Sequence, residues 1–419
     1  MINTKAPNNL GKDFWTFRVG QFFSGLGDSC TQVAMYWWLL QFLSPAKVGA
    51  ILSISMIIDI IVPPLLAPLG DRYSRKKIMI SAVTFQIVIA SLFAYVAYLK
   101  ITELFIIFPL IISYYFFKGL FLSGASGLLI FLIEKNHFNE AVRQTQMINT
   151  IGMVIGGVIA GGLLHKLGVA WAFAFDSISF FLLLMALMLV TIRKATVLAQ
   201  QDQLQKRTNA LTLWGRDLLD GLKFIVDNHL LVVVSLMIAG MNFFFAPFTL
   251  AISTMITTNK LWPSWAMGSF QTAMAIGGLL GLLLLNRLLK NISTTTLFTS
   301  AIVVQGFTAV IMSLYPSLWV ITLAPAAFGM VSSITVTLII RQLNHFVPEN
   351  YRSRFFAIFE LMIRSINPLG VFIGGLFLST YRPDSLLMVN GILLITFTAI
   401  ISSLTYFKKF MTYREAIEA

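Results

Sequence analysis

Residues 48–99 read VGAILSISMIIDIIVPPLLAPL, then GDRYSRKK, then IMISAVTFQIVIASLFAYVAYL. The first and last segments are equally long and almost wholly apolar, whereas the segment between them carries five charges in eight residues. About 20 apolar residues in an α-helix cross the ~30 Å hydrocarbon core of a bilayer. This stretch therefore predicts two membrane-spanning helices joined by a short charged turn.

Apolar runs of this length recur along the whole chain of 419 residues, which is 57% hydrophobic and 11% charged. Soluble proteins carry roughly 25% charged residues, so this composition excludes a water-soluble fold. The runs are too long and too uniformly apolar for the alternating strands of a membrane barrel, so helices must satisfy the backbone hydrogen bonds in lipid. We predict an all-α integral membrane protein with twelve transmembrane helices. They span residues 16–43, 47–69, 78–99, 103–132, 142–165, 170–193, 229–257, 264–287, 293–315, 318–343, 354–379 and 384–407.

The lysine and arginine residues are distributed unevenly between the predicted loops. With a cytoplasmic N-terminus, 23 of the 30 fall on the cytoplasmic side, five fall outside, and Lys118 and Arg364 lie within spans. Because positively charged loops stay in the cytoplasm, we predict that both termini are cytoplasmic, as in a multi-pass protein of the bacterial inner membrane. The net charge of +13 is spread over these loops and forms no basic domain, so we expect no nucleic-acid partner.

The chain divides near its middle at its longest polar stretch. We predict a six-helix bundle in residues 1–193, a cytoplasmic linker with an amphipathic helix in residues 194–228, and a second six-helix bundle in residues 229–419. The two bundles repeat each other, because acids of the first recur as amides of the second at a nearly constant offset along the chain. The pairs are Asp28 with Asn242, Asp71 with Asn286, and Asp176 with Asn390. We therefore expect two pseudo-symmetric halves.

The charged turn after the second span carries a family signature. Residues 69–77 read LGDRYSRKK, which resembles the loop Gly-x-Leu-x-Asp-Arg-x-Gly-Arg-Lys of the major facilitator superfamily, with Ala67 and Ser74 in place of its two glycines. The resemblance implies a secondary transporter that works by alternating access, with its substrate site at the interface of the halves. It also implies that charges of this loop form a conformational latch on the cytoplasmic side. The latch residues are Asp71, Arg72, Arg75 and, in the second half, Asn286 and Arg287.

Across nearly the whole chain the pattern is most similar to the macrolide-efflux branch of that superfamily. The resemblance is carried by residues 71–80, by Asp176 early in the sixth span, and by residues 348–349 with Arg354 before the eleventh span. It implies a drug:proton antiporter. Residues 156–162 read GGVIAGG, which is similar to the antiporter motif Gly-Pro-x-x-Gly-Gly but has valine at the proline position.

Three ionisable residues within the predicted spans are candidates for proton coupling. Asp28, Asp59 and Lys118 each cost about 2.5 to 3.5 kcal/mol to place at the centre of a bilayer, so each needs a partner, a cavity or a function. Asp28 lies on a polar stripe of the first span, which predicts a watery cavity; the alternative is a structural hydrogen bond to another helix. Asp59 is the competing acid, and Lys118 could pair with either. For Asp176 we expect a structural capping role.

Aromatic and polar residues within the spans are candidates for a substrate cavity. Aromatic side chains cluster around Asn242 and in the first span, where they could line an apolar cavity, although such rings often pack or face lipid. Glu360 and Arg364 are one helical turn apart, so mutual neutralisation is the alternative to contact with substrate. The cavity candidates are Gln21, Gln32, Tyr36, Asn242, Phe243, Phe245, Glu360 and Arg364.

We therefore predict a proton-driven exporter of an amphipathic small molecule, such as a drug-like compound or a siderophore. A nucleotide-binding loop of the Gly-x-x-x-x-Gly-Lys type is missing, so we expect no ATP and no cofactor, and the single cysteine, Cys30, argues against a metal site. The expected partners are the substrate, protons and the lipid bilayer, with a functional monomer. The alternatives are a lysophospholipid or nutrient transporter of the same fold, and a membrane-embedded enzyme or receptor.

Overall fold

The computed structural model describes residues 10–67, 69, 73–133, 137–191, 219, 222, 223 and 225–412. Within these ranges the chain forms helices and no β-strand, which confirms the all-α prediction. The helices are α1 Lys12–Phe42, α2 Pro45–Leu66, α3 Arg75–Tyr98, α4 Leu104–Leu132, α5 Phe138–Lys166, α6 Val169–Leu189, α7 His229–Phe245, α8 Phe248–Thr258, α9 Trp265–Leu288, α10 Thr294–Leu314, α11 Leu318–Leu323, α12 Pro325–Phe346, α13 Glu349–Ser365, α14 Asn367–Thr380, α15 Pro383–Ser403 and α16 Thr405–Thr412.

Eleven helical stretches of the described residues are long and apolar enough to cross a membrane, which makes the chain a multi-pass membrane protein. Helix α1 is not among them, although its 31 residues are long enough to span. The count of twelve spans therefore depends on α1 and stays a prediction.

The chain separates by its internal contacts into two compact units. Unit 1 comprises Met1–Ala34 and Ile58–Ala210, and unit 2 comprises Met35–Ile57 and Leu211–Ala419. The division falls inside helices α1 and α2 as well as near the middle of the chain. The linker predicted at residues 194–228 lies mostly outside the described residues, so the two six-helix bundles stay a prediction.

Three of the predicted spans are each built from two helices, and a proline lies at every junction. Proline lacks a backbone N–H, so it is tolerated best in the first turn of a helix. Pro247 directly precedes α8, Pro325 begins α12, and Pro368 lies in the first turn of α14. By contrast, Pro109 lies inside α4 without interrupting it. Each of these stretches, His229–Thr258, Leu318–Phe346 and Ile358–Thr380, is still apolar and long enough to cross a membrane as one span.

The helix bounds repeat along the chain with the same offset that separates Asp28 from Asn242. Helix α4, Leu104–Leu132, corresponds to α11 and α12, which together extend from Leu318 to Phe346. Helix α6, Val169–Leu189, corresponds to α15, Pro383–Ser403. The packing repeats as well, since α3 packs against α4 and α6 in unit 1, and α10 packs against α12 and α15 in unit 2. Side chains at equivalent positions can therefore be compared directly.

The core of each unit lies between its helices, where large aromatic side chains are buried. In unit 1, Phe93 of α3 stacks on Phe173 of α6 with ring centroids 5.1 Å apart. In unit 2, Phe355 of α13 and Phe407 and Phe410 of α16 belong to one buried cluster. These cores fix the helices that carry the polar side chains of the candidate site.

Candidate functional site

A cluster of ionisable side chains lies between α1, α4 and α6 in unit 1. Asp28 of α1 and Lys118 of α4 form an ion pair, with 3.7 Å between Oδ2 and Nζ. Their side chains are 31% and 30% exposed, so the pair is partly buried but still open to one side. The structure thus brings together two of the three residues that we predicted to couple protons.

Tyr114, one helical turn before that lysine on α4, connects Asp28 to a second carboxyl group. Its hydroxyl oxygen is 2.9 Å from Asp28 Oδ1 and 3.0 Å from Asp176 Oδ2. The tyrosine side chain is buried and its ring lies against Phe93 of α3 and Phe180 of α6. This packing fixes the hydroxyl group between the two carboxyl groups.

Asp176 of α6 is completely buried and is surrounded by hydroxyl groups. Thr31 Oγ1 of α1 donates to its Oδ2 at 2.6 Å, and Ser179 Oγ lies 3.2 Å from its Oδ1. Gly27 of α1 faces this carboxyl group, because a Cβ atom there would collide with Asp176 and Ser179. Glycine therefore lets α1 and α6 approach closely enough for the Thr31 hydrogen bond to form.

The capping role that we expected for Asp176 is wrong. Helix α6 begins at Val169 after Gly168, no side-chain hydrogen bond caps this described N-terminus, and Asp176 lies further along the helix. Its hydrogen bonds run to α1 and α4, so it joins the predicted coupling pair through Tyr114. Tyr114 is not among the residues predicted from the sequence, because a tyrosine within an apolar span carries no signal of its own. Only its position one turn before Lys118 could have indicated it.

Asp59, the competing acid, lies on α2 in the part of that helix that belongs to unit 1. It is partly buried and interacts electrostatically with Lys118 and with Tyr115. Lys118 therefore interacts with both acids, and the assignment of the coupling acid stays a prediction.

The equivalent positions in the described part of unit 2 hold an aromatic stack instead of an ionisable cluster. Phe245 and Phe328 stack with ring centroids 4.8 Å apart. Asn242 Nδ2 donates to the carbonyl oxygen of Ile238 within its own helix. None of these side chains can bind or release a proton near neutral pH. By the offset of the repeat, Asp28 corresponds to Asn242, Thr31 to Phe245, Tyr114 to Phe328, Lys118 to Ser332 and Asp176 to Asn390.

The predicted substrate-cavity residues are divided between the two units. In unit 1, Gln32 is exposed and Gln21 accepts a hydrogen bond from the buried Arg18. In unit 2, Tyr36 is buried and Phe243 is partly buried. A role for these residues in binding substrate stays a prediction.

Glu360 and Arg364 of α13 form an ion pair across one helical turn, with 3.6 Å between Oε1 and Nη1. Their side chains are 69% and 46% exposed, so they lie on an open face of unit 2. The contact has the geometry expected for mutual neutralisation. Contact with substrate stays a prediction for both residues.

The predicted latch is only partly described. Asp71 and Arg72 lie outside the described residues, whereas Arg75 is the first residue of α3. In the second half, Asn286 and Arg287 are exposed in the last turn of α9. The latch therefore stays a prediction.

Two side chains near the latch residues, Lys76 and Asp13, connect the ends of three helices by hydrogen bonds. Lys76 of α3 donates to the carbonyl oxygens of Met188 and Val190 at 3.1 and 2.7 Å. Asp13 of α1 accepts from the backbone N–H of Thr191 at 3.0 Å and from its hydroxyl group. A cation at the C-terminus of a helix also interacts favourably with the helix dipole. Lys76 and Asp13 therefore hold the end of α6 to the starts of α3 and α1.

The cluster in unit 1 is suited to proton chemistry. Lys118, Asp28, Tyr114 and Asp176 form a series in which each group lies within ion-pair or hydrogen-bond distance of the next. Ionisable residues within transmembrane helices mark ion pathways and proton relays. The described residues contain no group of three or more His, Cys, Asp or Glu side chains that could hold a metal ion.

The family model of the Major Facilitator Superfamily matches residues 19–366. Among curated proteins, the uncharacterized MFS-type transporter YfiS of Bacillus subtilis (strain 168) is 25% identical over 224 residues, which cover 53% of this chain and 51% of that protein. The matched region thus spans about half the length of this relative.

Solved structures share the fold over nearly the whole chain. The nucleoside transporter NupG matches with a TM-score of 0.72 at 13% identity, and the match covers 93% of this chain and 99% of NupG. A bacterial homologue of the human lysosomal transporter Spinster, in an inward-facing and unoccupied conformation, matches with a TM-score of 0.67 at 13% identity over 98% of this chain and 99% of that chain. At this level of identity the likeness concerns the fold alone.

Proposed function

This chain belongs to the Major Facilitator Superfamily and is a transporter rather than an enzyme, and we propose that it is a proton-coupled exporter of an amphipathic small molecule. The observation that carries this proposal is the series of Lys118, Asp28, Tyr114 and Asp176 in unit 1. Ionised Asp28 attracts Lys118, and protonated Asp28 does not. Proton binding would therefore release a contact between α1 and α4, which is how an ion can bias a conformational equilibrium.

The asymmetry between the repeats supports the same proposal. The positions equivalent to Asp28 and Asp176 are Asn242 and Asn390, and the position equivalent to Tyr114 is Phe328. Amide and phenyl groups do not titrate. A proton would therefore change the interactions of one repeat while the aromatic stack of the other keeps its packing.

Export of an amphipathic cargo is supported by the resemblance of the sequence to the macrolide-efflux branch. We propose a drug-like compound or a secreted metabolite such as a siderophore as the cargo, carried by a monomer in a bacterial inner membrane with cytoplasmic termini. Uptake of a nutrient or a lysophospholipid is the alternative within this fold. The structurally similar proteins include a nucleoside transporter, but a shared fold does not determine the substrate.

The test uses the purified full chain in liposomes that contain a pH-sensitive dye, with a panel of amphipathic compounds. For the wild type we expect an imposed proton gradient to concentrate at least one compound and the compound to drive protons in the opposite direction. Asp28→Asn keeps the shape of the side chain but cannot bind a proton. We expect it to retain compound binding, measured by tryptophan fluorescence, and to lose accumulation driven by the gradient.

A matched control separates this effect from a general loss of charge. Asp384→Asn removes a carboxylate of α15 that pairs with Arg382 at 3.1 Å, outside the ionisable series, and should transport like the wild type. If Asp28→Asn accumulates compound at the wild-type rate, Asp28 is not the coupling acid and Asp59 becomes the better assignment. If no compound moves protons through the wild type, proton coupling itself is wrong.

A further inference from the structure

In and around the ionisable series of unit 1, the close oxygen–oxygen contacts outnumber the hydroxyl hydrogens that are available to form hydrogen bonds in them. Tyr114 Oη lies 2.9 Å from Asp28 and 3.0 Å from Asp176. Thr31 Oγ1 lies 2.6 Å from the Asp176 carboxyl group, and Ser179 Oγ lies 3.2 Å from that carboxyl group and 2.7 Å from the Asp176 carbonyl oxygen. Each of the three hydroxyl groups has one hydrogen to donate. With both carboxyl groups ionised, two of these five contacts therefore bring oxygen atoms together with no hydrogen between them.

One additional proton on Asp176 supplies the missing hydrogen in the contact between Asp176 and Tyr114. A protonated carboxyl group donates one hydrogen bond, whereas an ionised one only accepts. Asp176 can then donate to the tyrosine oxygen while the tyrosine hydroxyl donates to Asp28, so both contacts of Tyr114 become hydrogen bonds.

Burial favours Asp176 over Asp28 as the group that holds this proton. Asp176 is completely buried, whereas Asp28 is partly exposed and pairs with Lys118. The ionisable groups that face Asp176 are Asp28 and Cys30 from α1 and Tyr114 and Lys118 from α4. Among the residues that the structure describes, none of these supplies a cation within ion-pair distance of Asp176. An ionised carboxylate in such a place loses its hydration, and its hydroxyl neighbours do not replace a cation as a partner.

We propose that Asp176 stores a proton and exchanges it with Asp28 through the hydroxyl group of Tyr114. The phenol O–H bond breaks as its hydrogen passes to the Asp28 carboxylate, and a new phenol O–H bond forms with the hydrogen from the Asp176 carboxyl group. One proton moves from Asp176 to Asp28, and Tyr114 is unchanged. Asp28 then loses its attraction for Lys118. The use of this step in transport rests on the proposed function, whereas the storage site does not.

Infrared spectroscopy of the substrate-free full chain in liposomes tests the storage site. A protonated carboxyl group gives a C=O band that is separate from the bands of ionised carboxylates and that shifts in heavy water. We expect Asp176→Asn to lose one such band of the wild type. The double variant Asp28→Asn with Lys118→Met removes the ion pair as a neutral unit and should keep the band, as should the control Asp384→Asn. Retention of every such band in Asp176→Asn would overturn the proposal, and so would loss of the band in the double variant.

Tyr114→Phe tests the relay and keeps both carboxyl groups. Because Asp176 then lacks the tyrosine oxygen as its acceptor, we expect its C=O band to move. We also expect its exchange with deuterium to slow, because phenylalanine lacks the hydroxyl group that would pass the hydrogen on to Asp28. An unmoved band with an unchanged exchange rate would overturn the relay even if Asp176→Asn failed to fold.

The two proposals fail in different ways. A carboxyl band that depends on Asp176, together with no proton-driven flux in the wild type, would support the storage site and contradict the proposed function. Proton-driven flux without any band that depends on Asp176 would support the proposed function and overturn the storage site.

Discussion

Replacing Lys118 with methionine should destabilise the protein mainly through the charge that it leaves on Asp28. Nζ and Oδ2 are 3.7 Å apart. At that distance the Coulomb energy is about 1 kcal/mol in water and about 4.5 kcal/mol at an effective dielectric constant of ~20. Because the side chains are 30% and 31% exposed, the pair lies between these limits. We expect Lys118→Met to lower the free energy of unfolding by about 1 to 4 kcal/mol.

A double-mutant cycle isolates the pair from the loss of packing. Asp28→Asn with Lys118→Met removes both charges, so the double variant should be more stable than the two single effects predict, by a coupling energy of about 1 to 3 kcal/mol. The control cycle uses Arg382 and Asp384, which are closer at 3.1 Å, although Arg382 is 81% exposed. For such an exposed pair we expect less than about 1 kcal/mol. Unfolding in one detergent, followed by tryptophan fluorescence, measures all the variants.

The comparison between the two cycles shows whether the Asp28–Lys118 pair contributes more to stability than an exposed ion pair does. A coupling energy for Asp28 and Lys118 that is no larger than that of the control pair would refute the reasoning. Water would then screen the pair as fully as it screens a surface pair. Protonation of Asp28 would then release too little free energy to bias a conformational change.

Three further predictions concern other parts of the chain. Glu360→Gln should lower the yield of membrane-inserted protein, measured by a fluorescent fusion, because it removes the carboxylate that pairs with Arg364. Adding Arg364→Met should restore much of the yield, and equal damage in both variants would contradict the pairing. Gly277→Ala should lower the free energy of unfolding by about 1 to 3 kcal/mol, because the added Cβ would collide with the backbone carbonyl of Ala326. The control Gly278→Ala should change little, because its Cβ would meet only the carbonyl oxygen of Gly329 at 3.9 Å, and equal effects would contradict this packing. Removing the charge at the latch residue Arg75 should increase labelling from the cytoplasmic side about five- to a hundredfold, and unchanged labelling would contradict the latch.

The positions of the helices could be predicted from the sequence, but their interruptions could not. Helix α4, Leu104–Leu132, lies within one residue of the predicted span 103–132. Hydropathy records the apolar length of a segment and not its hydrogen-bond pattern, so a break that keeps the segment apolar is invisible. Proline is an ambiguous signal as well, since Pro247 and Pro325 coincide with breaks and Pro109 does not.

The candidate site could be predicted only in part. Asp28 and Lys118 stood out because ionisable residues are rare within spans. The proposed role of Tyr114 and the complete burial of Asp176 depend on the rotational orientation of α1, α4 and α6, which decides which side chains face one another. No local pattern in a single sequence encodes this orientation. The close approach of α1 and α6 at Gly27 is of the same kind, because the glycine is informative only once its neighbour across the interface is known.

The internal repeat carries more information than either half alone. Tyr114 and Phe328 differ by one oxygen atom, and this oxygen separates a side chain that can relay a proton from one that can only pack. Restoring the oxygen with Phe328→Tyr would not create a second relay, because the neighbouring equivalents, Asn242 and Asn390, cannot bind or release a proton near neutral pH. The proposed relay therefore requires the carboxyl groups and the hydroxyl group together, and among the described residues only unit 1 brings them together.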